Sequence, residues 1–153
     1  MTTEHAIATP TRDYVELLQV TAGTEQVLAA LTEPDEMLRW WTSFTRSERD
    51  GDEVSLFTRH AAPLVLRVER PSADQVAWTV LSCDFLPDWV GTKPTFVVRP
   101  GDGGTIAVAF HHIGLGPALA CFDQCRAGWD HFLQSLTRYV DTGAGLPDRP
   151  RAA

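Results

Sequence analysis

Apolar and polar residues alternate with a period of two through the middle of the chain, as in strands that bury one face. Turn-forming residues interrupt the alternation at short intervals, and the strongest hairpin signals are Asp50-Gly51-Asp52 and the glycine-rich residues 100–104. The pattern predicts an antiparallel meander. The predicted strands cover residues 12–20, 44–49, 53–59, 64–69, 76–81, 92–99 and 105–112.

The apolar period becomes helical from Ala118, and Gly143 is a natural C-cap. One helix of about six turns is predicted between these positions. Two shorter helices follow the first strand, the first with Thr24 as its expected N-cap and the second opened by Pro34. The apolar stripe of the long helix consists of Phe122, Trp129, Leu133, Leu136 and Val140.

This order of elements places one long helix after a sheet whose apolar face must be covered. The sequence therefore predicts an α+β fold, in which a curved antiparallel sheet of six or seven strands wraps around the C-terminal helix. The domain is expected to span residues 12–143. Residues 1–11 and 144–153 are expected to be flexible tails.

Trp40 and Trp41 are adjacent, so both cannot face the core from one regular element. We expect them where a short helix ends, with one indole packed and the other at a rim. Large amphipathic rings line ligand cavities, and they also serve as structural anchors. The sequence leaves both roles open.

Strand parity assigns several side chains to the face that meets the helix. His112 has the parity of Phe110, so its imidazole should point into the mouth of the space between sheet and helix, while His111 points outward. A neutral imidazole there contacts a ligand, acts as a general base, or is satisfied by a carbonyl. The candidate ligand-lining residues, which core packing would predict equally, are Trp40, Trp41, Leu66, Trp78, Phe96, Phe110, His112, Phe122, Arg126 and Trp129.

Arg126 lies on the apolar stripe of the long helix, four residues after Phe122. If it points inward, it needs a carboxylate or a ligand as partner and favours an anionic or carbonyl-bearing ligand. The alternative, which we favour, is that its side chain snorkels to the edge of the helix.

The composition excludes several classes of function. A net charge of −7, spread along the chain, does not fit a nucleic-acid binder. No apolar run approaches the roughly 20 residues of a membrane span, and the polar N-terminus does not resemble a secretory signal. With three cysteines a disulfide framework is not expected, and a reducing cytoplasm is the predicted compartment.

No chemical centre emerges from the motifs. Cys121 and Cys125 lie one helical turn apart, but four zinc ligands cannot be assembled around them, and inert thiols are expected. No Ser-His-Asp arrangement is present, and the glycine-rich residues 100–104 join two strands rather than opening a helix. We therefore predict no catalytic residue, no metal and no cofactor.

Residues 25–34 and Arg39-Trp40-Trp41 carry a family pattern: a helix, then Thr-Glu-Pro, then a tryptophan pair. Later matches are Gly104-Thr105, the segment 112–115 and Gly128-Trp129. Over residues 15–143 the chain thus resembles the START-like helix-grip superfamily, also called SRPBCC. Within it, the chain is most similar to the branch named after the activator of heat-shock-protein-90 ATPase.

The resemblance implies the fold more than the function, because the superfamily includes lipid carriers, cyclases, self-sacrificing resistance proteins and stress-related co-chaperones. The full co-chaperone has an additional N-terminal domain without a counterpart in these 153 residues, which disfavours a chaperone partner. Our first hypothesis is that a small hydrophobic or amphipathic molecule binds between sheet and helix.

Two alternatives remain open. A cyclase or aromatase acting on a polyketide-like substrate needs two converging polar groups, and His112 is the one plausible member. A protein-interaction module needs an exposed apolar patch, which the outward-facing Arg67, Glu69, Thr79 and Lys93 do not suggest. A homodimer through an edge strand or through the Trp40-Trp41 region is also left open.

Overall fold

The computed structural model describes residues 13–41, 46–57, 62–84 and 86–146. Within them, seven strands form one antiparallel sheet, and three α-helices and two 3₁₀ turns complete the fold. The helices are α1 (Thr24–Thr32), α2 (Pro34–Trp40) and α3 (Phe122–Thr142). The strands are β1 (Tyr14–Val20), β2 (Arg46–Asp50), β3 (Glu53–Phe57), β4 (Leu64–Ser72), β5 (Gln75–Ser82), β6 (Lys93–Pro100) and β7 (Ile106–Ile113).

The strand order is β1-β7-β6-β5-β4-β3-β2, so the first strand of the chain pairs with the last. Their register runs from Tyr14 opposite His112 to Val20 opposite Ile106. The pairing between β4 and β5 is irregular at Val65/Leu66 and Glu69/Ser72. The predicted helix-grip architecture is confirmed.

The core lies between the concave face of the sheet and α3. The apolar stripe of α3 is buried from Trp129 through Leu133 and Leu136 to Val140. The facing side chains come from alternate positions of the central strands, and each of these is at most 2% exposed. The predicted inward parity is confirmed by this set, which consists of Leu64, Leu66, Val76, Trp78, Val80, Phe96, Val98, Val108, Phe110 and His112.

Several predicted element boundaries were wrong. Helix α3 begins at Phe122 rather than Ala118, because the chain after Pro117 first makes two successive tight turns, with hydrogen bonds from Leu119 N–H to the Gly116 carbonyl and from Phe122 N–H to the Leu119 carbonyl. The helix ends as predicted, at Gly143 in the left-handed conformation with φ 87°.

The N-cap of α1 also differs from the prediction. Gly23 occupies that position and its carbonyl accepts the first helical hydrogen bond, from Val27 N–H at 3.1 Å, so Thr24 is already inside the helix. Strand β4 continues through Pro71 to Ser72, beyond its predicted end at residue 69. The irregular pairing between Glu69 and Ser72 allows this, because a residue without an N–H is tolerated where the ladder is interrupted.

Both predicted tails lie mainly outside the described residues, at 1–12 and 147–153. Residues 144–146 are described and make defined contacts with the domain. The Leu146 N–H donates to Ser135 Oγ at 2.6 Å, and the Leu146 carbonyl lies 3.0 Å from His131 Nε2. The predicted strand ends at residues 44, 45, 58 and 59 are likewise outside the described part.

Candidate functional site

The tryptophan pair after α2 is buried completely, with Trp40 at 0% and Trp41 at 3% exposure. The expectation that one indole lies at a rim was therefore wrong. Trp40 is the last residue of α2, and Trp41 follows as its C-cap with an extended backbone, φ −86° and ψ −162°. This change of backbone direction brings the second indole alongside the first, with 5.9 Å between centroids and 12° between planes.

Near-parallel indoles continue through the space between the sheet and α3. Trp41 lies 4.7 Å from Trp78 on β5 and 5.6 Å from Trp129 on α3, with interplanar angles of 22° and 23°. Trp129 in turn lies 6.0 Å from Trp89, and these two planes differ by 5°. We call these five tryptophans, 40, 41, 78, 89 and 129, the indole stack.

The indole N–H groups of Trp40, Trp78, Trp89 and Trp129 donate hydrogen bonds within the protein. Trp40 donates to the Ala30 carbonyl at 2.9 Å and Trp78 donates to the Leu31 carbonyl at 2.8 Å, which fixes both rings to α1. Trp89 donates to the Cys125 sulfur at 3.1 Å. These bonds satisfy buried donors and give the rings a structural role in addition to any contact with a ligand.

His112 is fully buried at the end of β7 and uses both ring nitrogens. Its Nδ1 accepts a hydrogen bond from Trp129 Nε1 at 3.0 Å; because an indole N–H can only donate, the imidazole proton is on Nε2. That proton is donated to Thr92 Oγ1 at 2.8 Å, and the Thr92 hydroxyl donates to the Trp89 carbonyl at 2.7 Å.

Burial lowers the pKa of His112 to about 3, mainly because the charged imidazolium would be removed from water. The imidazole is therefore neutral near pH 7, and neither nitrogen is free to take a proton from a substrate. In this conformation the side chain has the role of a satisfied core histidine, which was one of the alternatives that the sequence left open.

Eight of the ten predicted lining residues come together around the indole stack, and Phe122 and Arg126 lie further out. Phe122, in the first turn of α3, is partly buried and packs against the edge of the core. The Arg126 side chain is 48% exposed, and its guanidinium lies 3.8 Å from Asp130 one turn later. The snorkelling orientation of Arg126 is the one that the structure shows.

None of the three cysteines forms a disulfide. Burial raises the pKa of the Cys125 thiol to about 12, which keeps it protonated and poorly nucleophilic. Among the described residues, no group of three or more His, Cys, Asp and Glu side chains is arranged to hold a metal ion. Nor does any helix in this part of the chain have the length and apolarity to span a membrane.

One surface feature was missed by the sequence reasoning. The outer face of the sheet at β1, β7 and β6 carries an open depression of about 610 Å³, whose lining combines apolar and polar residues: Val15, Leu17, Val97, Ala109 and Ile113 with Gln75, Thr95 and His111. We call it the outer groove. The outward-facing positions of β1 and β7 can be derived from the alternation in the sequence. The polar residues that argued against an exposed apolar patch, however, belong to β4, β5 and β6.

Together, the sheet order and the long covering helix define a helix-grip fold. Solved structures share it. The Aha1 dimer from Colwellia psychrerythraea has a TM-score of 0.70 and 21% identity, over 87% of this chain and 98% of that one. The protein SSP2350 from Staphylococcus saprophyticus has a TM-score of 0.65 and 20% identity, over 89% of this chain and 96% of that one.

DynU16, a protein of the dynemicin biosynthetic locus, has a TM-score of 0.64 and 20% identity. The match covers 92% of this chain and 51% of DynU16, so this chain spans about half of that protein. At these identities the likeness establishes the fold alone. Comparisons with protein-family models and with curated proteins find no match.

Proposed function

We propose that the chain binds a small, flat, apolar molecule between the sheet and α3, at the end where α3 begins. The observation that carries the proposal is the indole stack, in which Trp41, Trp129 and Trp89 follow one another with nearly parallel planes. Flat aromatic faces in this arrangement offer a further flat ring the same offset stacking that they use with one another.

The apolar surface at this end of the grip is partly open to solvent. Leu86 belongs to the connection between β5 and β6, Leu119 to the connection between β7 and α3, and Phe122 to the first turn of α3; all three are partly buried against the core. The connection between β5 and β6 meets the first turn of α3 where Trp89 donates its hydrogen bond to Cys125. A ligand over these side chains would lie next to the buried rings.

The driving force would be burial of apolar surface. A ligand that loses about 300 Å² of apolar surface to this site gains roughly 7 kcal/mol before the costs of ordering are subtracted. The chemistry of the site favours binding over catalysis, because both nitrogens of His112 are already engaged. A cyclase would need a free proton acceptor and a second polar group directed at the substrate.

Among proteins with this fold, the origin of DynU16 in a biosynthetic locus supports a role with small molecules. The fold alone does not exclude protein partners. In this chain, the interior polar groups described above already have hydrogen-bond partners. The interior also contains many apolar rings, and both features favour an apolar ligand over a polar one.

The test is a native mass spectrum of freshly purified protein followed by titration with anilinonaphthalene sulfonate. The five tryptophans lie in the stack at 0–7% exposure, so energy transfer from tryptophan reports dye bound to the domain, and the variants then locate the dye. We expect Phe122→Ser to weaken dye binding about tenfold, which corresponds to about 1.4 kcal/mol. The control Leu17→Ser, an exposed position on β1, should leave binding unchanged.

Folding of both variants is checked by thermal melting, and Leu119→Ser provides a second test at the same end of the site. A native mass equal to that of the bare chain, together with no energy transfer to the dye, would contradict the proposal. So would dye binding that is lost in Leu17→Ser and kept in Phe122→Ser, because the dye would then be in the outer groove.

A further inference from the structure

Two thiols meet at the start of α3. Cys121 is the N-cap residue of the helix and Cys125 follows one turn later, and the Cys125 N–H donates to the Cys121 carbonyl at 2.8 Å. Residues four apart lie on the same side of a helix, and the Cys125 thiol is hydrogen-bonded to the Cys121 thiol. We call these two side chains the thiol pair.

The two thiols differ in how far solvent reaches them. Cys121 is partly exposed, whereas Cys125 is 5% exposed and accepts the indole hydrogen bond of Trp89 at 3.1 Å. Because a buried thiol is less reactive than an accessible one, an incoming reagent meets Cys121 first. The Trp89 N–H already points at the Cys125 sulfur, and a donor in that position stabilises the negative charge that a sulfur carries when it becomes a ligand.

The spacing of the thiol pair disfavours a disulfide. Side chains one helical turn apart have Cβ atoms about 5–6 Å from each other. A disulfide needs a Cβ–Cβ distance of about 3.5–4.5 Å, so a direct S–S bond would require the first turn of α3 to distort. A single atom between the two sulfurs removes this restriction, because each sulfur then bonds to that atom rather than to the other sulfur.

The number of sulfurs limits the chemistry of the bridging atom. Sulfur ligands of this kind select soft centres. Among the described residues, no third His, Cys, Asp or Glu side chain joins the thiol pair in an arrangement that could hold a metal ion, so a four-coordinate zinc site is not formed. A trivalent arsenic atom that already carries one carbon substituent needs two sulfurs and no further ligand from the protein.

We propose that the thiol pair captures monosubstituted trivalent arsenicals, R–As=O, as a bridged dithiol adduct. Cys121 adds first: its sulfur bonds to arsenic and its proton moves to the arsenic-bound oxygen, which becomes a hydroxyl group. The Cys125 sulfur then bonds to arsenic, its proton joins the departing hydroxide, and one water is released. The step needs no oxidant, because arsenic stays trivalent and both sulfurs keep their oxidation state.

The thiol pair lies beside the surface assigned above to a flat apolar ligand. Leu119 and Phe122, two residues before and one residue after Cys121, are partly buried against the core. An aromatic substituent on arsenic therefore has apolar surface to lie on, which favours aryl arsenicals over smaller ones. Capture depends on the two sulfurs, so it does not require that an unreactive flat molecule also binds there.

The test is a denaturing mass spectrum of the full chain after incubation with phenylarsine oxide and excess glutathione. We expect one adduct whose mass gain is that of the reagent minus one water, as closure by the second thiol requires. Cys121→Ser and Cys125→Ser should each retain about a hundredfold less reagent, because a single sulfur lacks the effective concentration of its neighbour. Cys83→Ala, which removes the third cysteine, is the matched control and should keep the wild-type adduct.

Thermal melting shows whether each variant is folded, and Cys121→Ala repeats the test at the partly exposed position. Three results would overturn the proposal: no adduct in wild type, an adduct that keeps its oxygen or carries a glutathione, or an adduct retained equally by Cys121→Ser. Loss of the adduct in folded Cys83→Ala would also contradict it, because two sulfurs would then be insufficient. Dye titration of the unreacted wild type is a separate readout, so failure of arsenical capture and failure of the proposed function are distinguishable.

Discussion

The imidazole of His112 connects β7 with two other parts of the fold. It accepts a hydrogen bond from Trp129 on α3 and donates one to Thr92, just before β6. Thr92 extends the network to the carbonyl of Trp89. Each buried polar group has a partner of the correct type, so the network stabilises a unique arrangement of the rings. Protonation of the imidazole would break it, because a protonated Nδ1 cannot accept from Trp129.

The first prediction concerns acid sensitivity. The pKa of His112 is about 3 in the folded protein and 6.5 when unperturbed, so below pH 6.5 the unfolded chain binds a proton that the folded chain does not. The free energy of unfolding should therefore fall as the pH falls from 6.5 toward about 3, with a limiting slope of about 1.4 kcal/mol per pH unit from this group. Urea unfolding at a series of pH values measures it.

The comparison is with His112→Gln, which lacks the titrating group. The free energy of unfolding of the wild type should exceed that of His112→Gln by the largest amount above pH 6.5, and this difference should shrink progressively as the pH falls. His111→Gln, at the exposed neighbouring histidine, is the control and should keep the wild-type acid sensitivity. Parallel stability curves for wild type and His112→Gln would show that His112 does not titrate in this way.

The second prediction concerns the hydroxyl that His112 contacts. Thr92→Val keeps the shape of the side chain but leaves the buried Nε2–H of His112 without its acceptor, which should cost about 1–3 kcal/mol. Thr95→Val is the matched control, since Thr95 donates to the His111 carbonyl on the outer face, and a loss nearer 1 kcal/mol is expected. Equal losses in chemical unfolding would contradict the special role of Thr92.

The sequence predicted from strand parity that His112 points toward the helix, but it could not predict the complete burial or the partners of the imidazole. Thr92 and Trp129 are 20 and 17 residues away from His112 and belong to different elements. Parity defines the face on which a side chain lies, whereas hydrogen bonding depends on how the elements are placed in three dimensions. The same limit applied to Trp41, whose direction depends on the backbone of one C-cap residue.

At the scale of elements, α3 ends in two glycines with different roles. Gly143 has φ +87°, and a Cβ added there meets nothing within 4 Å, so the cost of a side chain is conformational. Gly145 has ordinary backbone angles, but an added Cβ would lie 2.6 Å from the Arg39 carbonyl oxygen and 3.0 Å from Ser135 Oγ. A glycine is needed at this position because the chain passes too close to Arg39 and Ser135 to leave room for a side chain.

The third prediction separates these roles. Gly143→Ala should lower the free energy of unfolding by about 1 kcal/mol, as expected for a left-handed C-cap. Gly145→Ala should instead displace the segment from Ser135 and expose the Leu146 amide to hydrogen exchange. Amide exchange of Leu146 and thermal melting are measured for both variants. Retained protection of Leu146 in Gly145→Ala would contradict this account of the contact.

Elements were easier to predict than their ends. The seven strands were found because alternation and turn residues act locally, and the α3 stripe because its period extends over several turns. The start of α3 was wrong because Gly116 and Leu119 accept hydrogen bonds in consecutive turns, which have no clear apolar period. The continuation of β4 through Pro71 depends on an irregular pairing with β5, which local sequence does not reveal.

At the scale of the molecule, the last turn of α3 is tied to the turn that follows β1. Asp141 accepts hydrogen bonds from the N–H groups of Thr21 at 2.8 Å and Ala22 at 3.0 Å. The helix dipole disfavours a carboxylate in the last turn of a helix. The favourable contribution of Asp141 therefore comes chiefly from these two long-range hydrogen bonds.

The fourth prediction is that Asp141→Ala lowers the free energy of unfolding by about 1–3 kcal/mol, because two bonds to an ionised acceptor are lost. Asp123→Ala, at an exposed aspartate in the first turn of the same helix, should cost about 0.5 kcal/mol through the dipole alone. Urea unfolding of both variants makes the comparison. If Asp141→Ala lowers the free energy of unfolding no more than Asp123→Ala does, the hydrogen bonds from Thr21 and Ala22 to Asp141 contribute little to stability.

The outer groove could not be predicted from the pattern of each strand taken separately. Its lining comes from β1 and β6 on either side of β7, and β1 reaches that position only because it pairs with a strand near the other end of the chain. Local patterns reveal hairpin neighbours, whereas the pairing of distant strands depends on global topology. The resemblance to helix-grip proteins implied the fold, but not which outer face is apolar.

The pairing of β1 with β7 also has a consequence in time. During synthesis, β1 leaves the ribosome about 90 residues before the strand that it joins. At 5–20 residues per second, this strand waits roughly 4–20 s for its partner. Throughout that interval Tyr14 and Val20, which are buried in the folded protein, are exposed on a strand with neither edge paired. The nascent chain is therefore most open to wrong association through β1 before β7 arrives and pairs one of its two edges.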